Sequence, residues 1–362
     1  MKPTTPTTPA TPMTPALLTL AVQMGETLHR LDLGKGRYTG VALGGGVFSQ
    51  VRLAEADLRN ADLRETVFDQ CDLRGAIASG ANLRKAVFNR CQLDHADLRQ
   101  ANLHGAVFTE CDLMHAQLEG AALTMATVNK CRLDHANLRN AQLDSAVLTQ
   151  SVLLDVCADG TFWRYVTVNE CDLSHLSWAG ARMQRSAFCK TSLKGMSFAG
   201  LALDGCQFAG ADLSGADFSG VALPQCNFQG AKLDGARFAK AVAPSAVFCD
   251  ATGQGVDFSG ARMRQALFTG AVLPKADFSA CDLCQTHFAG ARLRGANFTG
   301  AELTYADFRH ADLDTADLRR ATLMRTVLHG ANTANAQMTD RARALESDAD
   351  LAESERWQPL VA

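Results

Sequence analysis

No stretch of this 362-residue chain is apolar over the roughly 20 residues that a membrane-spanning helix needs, which excludes a helical span. Charge of one sign is also missing. A net −3 argues against direct nucleic-acid binding and against a general membrane-surface protein. Tryptophan and tyrosine are scarce at three each, so the large apolar set rests on 18 phenylalanines and on leucine. There is no convincing secretory signal either, because ALLTLAV (residues 16–22) is too short and stands too far from basic residues. Without one, the 12 cysteines read as reduced thiols of a cytoplasmic protein. The glycine runs at 44–46 and 253–255 have no helix after them to cradle phosphate, so no cofactor site is expected. No Ser/His/Asp set or carboxylate pair stands apart from the rest of the sequence, and none is expected to be catalytic.

What is present is a rhythm. In ADLRNADLR (56–64) the sequence repeats after five residues, a period that belongs to neither the helix nor the ordinary strand. Taking every residue whose number ends in 3 or 8, from Leu28 to Leu328, only Ala78, Ala158, Ala243 and Gly253 are not Leu, Phe, Met, Val, Tyr or Trp. Two residues before most centres stands a small one, such as Ala61, Ala101, Ala211 or Ala261. A frame kept that far without an insertion means a solenoid. A second period of twenty sits on the first. Phe48, Phe68, Phe88 and Phe108 form one series, Phe188 to Phe308 another, and Phe198 to Phe298 a third. Four fives to a coil therefore stack Phe on Phe and Leu on Leu, about 4.8 Å apart.

Motifs such as ADLSGADF (211–218) and ANFTGAEL (296–303) resemble the A(D/N)LxX consensus of pentapeptide repeat proteins. The resemblance covers residues 28–335. It implies an all-β, right-handed quadrilateral parallel β-helix, with the centre and the small residue pointing inward and the other three positions facing solvent.

Three stretches depart from the consensus. Residues 151–185, with Trp163, Tyr165 and Trp178, keep the frame but lose Ala-Asp-Leu, which predicts a thicker or bent segment. Residues 241–256 carry the weak centres Ala243 and Gly253, which predicts a bulge. After Thr333 the frame fades into TDRARALESDADLAESER (339–356), read as a helix with Thr339 or Asp340 at its N-cap. The expected domains are a disordered Thr/Pro tail over 1–16, the β-solenoid over 17–338, and an acidic, helical C-terminal cap over 339–362. The cap blunts the exposed end of the stack.

Candidate sites are few. Cys71, Cys91, Cys111 and Cys131 recur every twenty residues in the small inward position, as buried structural thiols in place of Ala. His95, His115 and His135 form an outward column, but a line of imidazoles along one wall does not enclose an ion, so no metal site is expected. Trp163 and Trp178 are centres and point inward, which leaves Arg164 and Tyr165 as an outward pair. Arg164, Tyr165, His95, His115 and His135 are therefore the expected partner contacts, since Arg and aromatic side chains are enriched at binding hot spots. With every large residue committed to a packed core, the expectation is a non-enzymatic protein-binding scaffold or adaptor. Its long Phe/Leu-centred array resembles the pentapeptide repeat proteins that accompany bacterial type VI secretion clusters, which implies a secretion component or effector as partner. A second resemblance, to the quinolone-resistance pentapeptide proteins, implies the alternative of a DNA mimic that binds DNA gyrase. A homodimer through the C-terminal end is a further expectation.

Overall fold

A computed structural model describes residues 13–356. The chain divides into two compact units, Met1–Gln142 and Leu143–Ala362.

The first unit opens with helix α1 (Pro15–Gln23), whose N-cap Thr14 accepts the Leu17 N–H on its side chain and whose first residue is proline. This corrects the reading of 17–23 as solenoid. Leu, Ala and Val at non-frame spacing pack as one short helix, with Leu18 fully buried. Of the tail assigned to 1–16, residues 1–12 lie outside the described residues. Strands β1 (Thr27–His29), β2 (Val47–Ser49), β3 (Val67–Asp69), β4 (Val87–Asn89), β5 (Val107–Thr109) and β6 (Thr127–Asn129) then recur every twenty residues. Each pairs in parallel with the next, residue i opposite residue i+20. On the other sides of each coil the contact shrinks to single bridges in the same register, for example Asp57↔Ile77 and Asp62↔Asn82.

The second unit repeats this plan. Strands β7 (Val147–Thr149), β9 (Thr167–Asn169) and β11 (Ala187–Cys189) stack on one side, and β8 (Phe162–Arg164) pairs with β10 (Arg182–Gln184) on another. Single bridges continue to the short pair β12 (Asp317–Leu318) and β13 (Gln337–Met338). Both units are right-handed, four-sided parallel β-solenoids.

Period five comes from the corners. Residues whose numbers end in 0 or 5 sit at positive φ, glycine or not: Glu55 at 57°, Asn60 at 55°, Gly215 at 68°. Most corners are turns closed by the N–H of the residue three after a centre, as in Ala61 N to Leu58 O at 3.0 Å. Positive φ at the third turn residue is the type II geometry.

Two columns of phenylalanine meet inside the second unit. Within a column the rings stack, as Phe228 on Phe248 with centroids 4.7 Å apart. Between columns they meet edge to face, as Phe228 and Phe238 at 5.4 Å and 89°. Both are the offset and perpendicular arrangements that aromatic quadrupoles favour.

Two expected irregularities are corrected here. The bulge at 241–256 is absent, since Val242↔Arg262, Val247↔Leu267 and Thr252↔Val272 hold the one-to-one register. The terminal helix α2 (Ala349–Arg356) starts later than Thr339 or Asp340. Asp340 precedes only a single 3₁₀ turn (Arg341–Arg343), while the Asp348 carboxylate accepts the Leu351 N–H and caps α2.

Candidate binding face

In the second unit, Trp163 and Trp178 are centres and are buried, as their frame positions require. The Trp163 indole N–H donates to Thr161 Oγ1 at 2.6 Å and that of Trp178 to the Ser197 carbonyl at 2.8 Å, so neither polar tip is stranded. The 151–185 segment stays in register, with Val152↔Asp172, Cys157↔Ser177 and Phe162↔Arg182 all paired.

What changes there is the outer surface. Phe162 takes an outward position and is 37 % exposed. Arg182 lies over its ring, 5.4 Å from the centroid, a cation–π distance. Arg164 reaches the Asp144 carboxylate at 3.4 Å. Tyr165, at a corner with φ 58°, is half exposed, and its hydroxyl accepts a long bond from Arg185 Nη1 at 3.5 Å. Arg182 and Arg185 have no carboxylate partner among the described residues.

Beside this cluster the ladder is interrupted. The same side carries Ala222↔Val242 and Val242↔Arg262, whereas Ala202 bridges neither of its neighbours. Next to it, bulky Leu201 fills an inward slot that takes Ala in most coils. Beside the interruption lies a groove of about 520 Å³ lined by Asp144, Phe162, Arg164, Arg182, Met183, Gln184, Ala202 and Asp204.

The structure thus joins Arg164 and Tyr165 to Phe162, Arg182 and Arg185, three residues the sequence reading missed. The missed signal is specific: Phe162 is the one phenylalanine of 18 whose number does not end in 8.

His95, His115 and His135 belong to the first unit. They stack at 4.7 and 5.0 Å between ring centroids, nearly parallel, on three corners with φ 56–58°. Histidine is among the residues enriched in this left-handed region, a reason for the column that owes nothing to a ligand.

A different cluster brings three metal-type ligands together. In the second unit His310 Nε2 and His329 Nε2 lie 3.3 and 3.2 Å from the two oxygens of Glu355. The tautomer argues against an ion. Buried His329 accepts the Asp348 N–H at Nδ1, so its proton sits on Nε2 and points at Glu355. A metal would need that lone pair. The cluster is a clasp that holds α2, with Gly330 making room: a Cβ there would lie 2.4 Å from His310 Nδ1.

The cysteine column is buried, and each thiol has an acceptor. Cys71, Cys91 and Cys111 donate to the carbonyls of Phe48, Phe68 and Phe88 at 3.3–3.4 Å. Thr66, Ser186, Thr286 and Thr326, in equivalent slots, do the same with hydroxyls. In the second unit, burial pushes the Cys206 thiol up to about 11 and that of Cys281 to about 12, so these sulfurs stay protonated and unreactive. One weak hydrogen bond is at stake at such a slot. Cys91→Ala should cost about 1 kcal/mol in urea unfolding, and Cys91→Ser less, because a hydroxyl reaches the same carbonyl. A loss of several kcal/mol in either would contradict a purely structural role.

On the walls, acid and base come in pairs two residues apart. Asp57 with Arg59, Asp62 with Arg64, Asp72 with Arg74 and Asp97 with Arg99 each join the carboxylate to both the backbone N–H and the guanidinium. Asp307–Arg309 and Asp317–Arg319 do so in the second unit. The guanidinium of Arg319 holds the Asp317 carboxyl down at about 2.

Comparison with protein families finds a pentapeptide repeat region over residues 67–138 and pentapeptide repeats over 129–161, 202–238, 231–270, 276–314 and 301–339. No curated protein matches the chain. Among solved structures, QnrB1, a plasmid-mediated fluoroquinolone resistance protein, is 22 % identical, covering 57 % of this chain and 92 % of its own at a TM-score of 0.29. HetL, a pentapeptide repeat protein involved in heterocyst differentiation regulation from the cyanobacterium Nostoc sp. strain PCC 7120, is 23 % identical, covering 85 % and 94 % at 0.18. Likeness at this level says nothing of a partner for this chain. No described helix is long and apolar enough to cross a membrane.

Proposed function

The chain belongs to the pentapeptide repeat family, and from that premise we propose that it is a non-enzymatic scaffold that binds another protein at the groove beside Phe162. The observation that carries this reading is the out-of-frame Phe162 under Arg182, next to the interrupted ladder at Ala202. The other phenylalanines of the repeat all point inward and are buried. Here an aromatic face and two arginines without carboxylate partners are left to solvent, the side-chain types that dominate binding energy.

For the identity of the partner, the resemblance of the long Phe/Leu array favours a secretion component or effector. A gyrase-binding DNA mimic needs an unbroken acidic face. Pairs such as Asp57–Arg59 and Asp217–Arg237 neutralise the walls instead.

The test is affinity capture from a lysate of the source cell with the wild-type chain and with Phe162→Ala/Arg182→Ala. Neither residue belongs to the inward stack, so the variant should fold and lose little in melting temperature. A partner identified by mass spectrometry and lost from the variant supports the groove. Capture of gyrase, with inhibited supercoiling by the purified protein, gives the partner to the alternative. Capture that is indifferent to the variant removes the groove from the reading.

A further inference from the structure

Helix α1 has only two polar side chains, Thr19 and Gln23. Between Pro15 and Gln23 it carries no charged residue. Its inner side is anchored by Leu18, fully buried, with Val22 half-buried one turn on. Its outer side presents Leu17, Leu20 and Met24, at i, i+3 and i+7, which are 49, 51 and 69 % exposed. Residues at that spacing share one stripe of a helix. A helix side that faces solvent is ordinarily polar or charged, not a stripe of three large apolar side chains. Something is therefore missing from the solvent side of α1.

We propose that the missing element is a second copy of α1, in an antiparallel two-fold contact between two chains. Three features select it. The stripe is nearly symmetric about Leu20: turning one copy end for end places Leu17 near the partner copy's Met24 and Leu20 near its own counterpart. That is the self-complementarity a two-fold contact demands. With no charge on the helix, no like-charge repulsion opposes the approach, and the antiparallel arrangement sets the two helix dipoles head to tail. The sequence that leads into the helix, MKPTTPTTPATP, contains no Leu, Ile, Val or aromatic residue to lay across the stripe instead. One short helix pair buries little compared with the roughly 1,200 Å² of a stable standard interface, so the dimer should be concentration-dependent.

Sedimentation velocity on the full chain over a concentration series tests this, with Leu20→Glu as the variant. The wild type should shift from monomer to dimer as concentration rises, and the variant should need at least about tenfold more protein to do so. Its circular dichroism and melting temperature should be unchanged, since Leu20 is outside the core. Under mild oxidation Leu20→Cys should cross-link to itself, whereas Gln23→Cys, nearly a turn from the two-fold, should not. A wild type that stays monomeric throughout overturns the proposal. So does a dimer that Leu20→Glu leaves intact, which would place the contact elsewhere, such as the C-terminal end. Binding of a monomeric wild type to phosphatidylcholine vesicles would give the stripe to a lipid surface and overturn it equally.

Discussion

Phe228→Ala should cost about 3–5 kcal/mol, at the upper end for an aromatic truncation because the site cannot collapse. The ring stacks on Phe208 at 5.1 Å and Phe248 at 4.7 Å, and meets Phe218 and Phe238 edge to face at 5.5 and 5.4 Å. Four rings therefore lose a partner at once, each contact worth about 0.5–1.5 kcal/mol beyond its buried area. Relaxation into the hole is blocked because the wall on either side is pinned by its ladder. Phe208 N–H donates to Asn227 O and Phe228 N–H to Val247 O, both at 2.6 Å. Stability in a repeat array is a sum over coils and nearest-neighbour interfaces, so the loss should be local. Native-state hydrogen exchange is the measurement that sees this. Protection should fall for amides of the coils at 208–248 and hold near Phe298 and Phe308. A loss below about 1 kcal/mol, or an even loss across the unit, would contradict a rigid aromatic stack.

The core was legible to single residues because inward direction depends on position alone. Leu58, Leu63 and Phe68 are buried as the frame requires, and so are the irregular centres Ala158, Trp163 and Trp178. The corners were not legible. Most of the chain's glycines stand at these left-handed corners, but Gln100, Lys130, Arg185 and Tyr305 occupy others, so no single residue type marks them. Helix α1 was hidden by its shortness, although Thr14 before Pro15 is a readable start. The expected cap residue at 339 or 340 failed to a competitor, since Asp348 stands directly before the helical turn while Asp340 opens only the 3₁₀ turn. Half of the proposed face was in the sequence reading, as Arg164 and Tyr165. The other half depends on which residue stacks twenty away, and that is what sets Arg182 over Phe162. The clasp of Glu355 on His310 and His329 joins residues with no shared spacing, beyond the reach of any repeat pattern.

Gly253→Leu should destabilise the chain by about 1–3 kcal/mol, although it restores the repeat consensus. Gly253 is a frame centre, and a consensus argument would count leucine there as an improvement. The coil has closed over the missing side chain. A Cβ at 253 would stand 2.7 Å from the Leu233 carbonyl carbon, 3.0 Å from Leu233 Cβ and 2.9 Å from Val256 Cγ2. The first of these is backbone and cannot swing aside. Val256 is the compensation: it fills, fully buried, a small-residue slot where Ala231, Ala236 and Ala261 stand in nearby coils. Overpacking then decides the sign, since the new side chain competes with a valine already in its space. The double variant Gly253→Leu/Val256→Ala tests that cause. It returns the coil to the usual pairing of large centre and small slot, so it should recover part of the loss, with a coupling energy above about 0.5 kcal/mol between the two sites. Urea unfolding of the two single variants and the double measures it. If Gly253→Leu alone raises the midpoint, the coil has room that the contacts deny, and the compensation by Val256 is wrong.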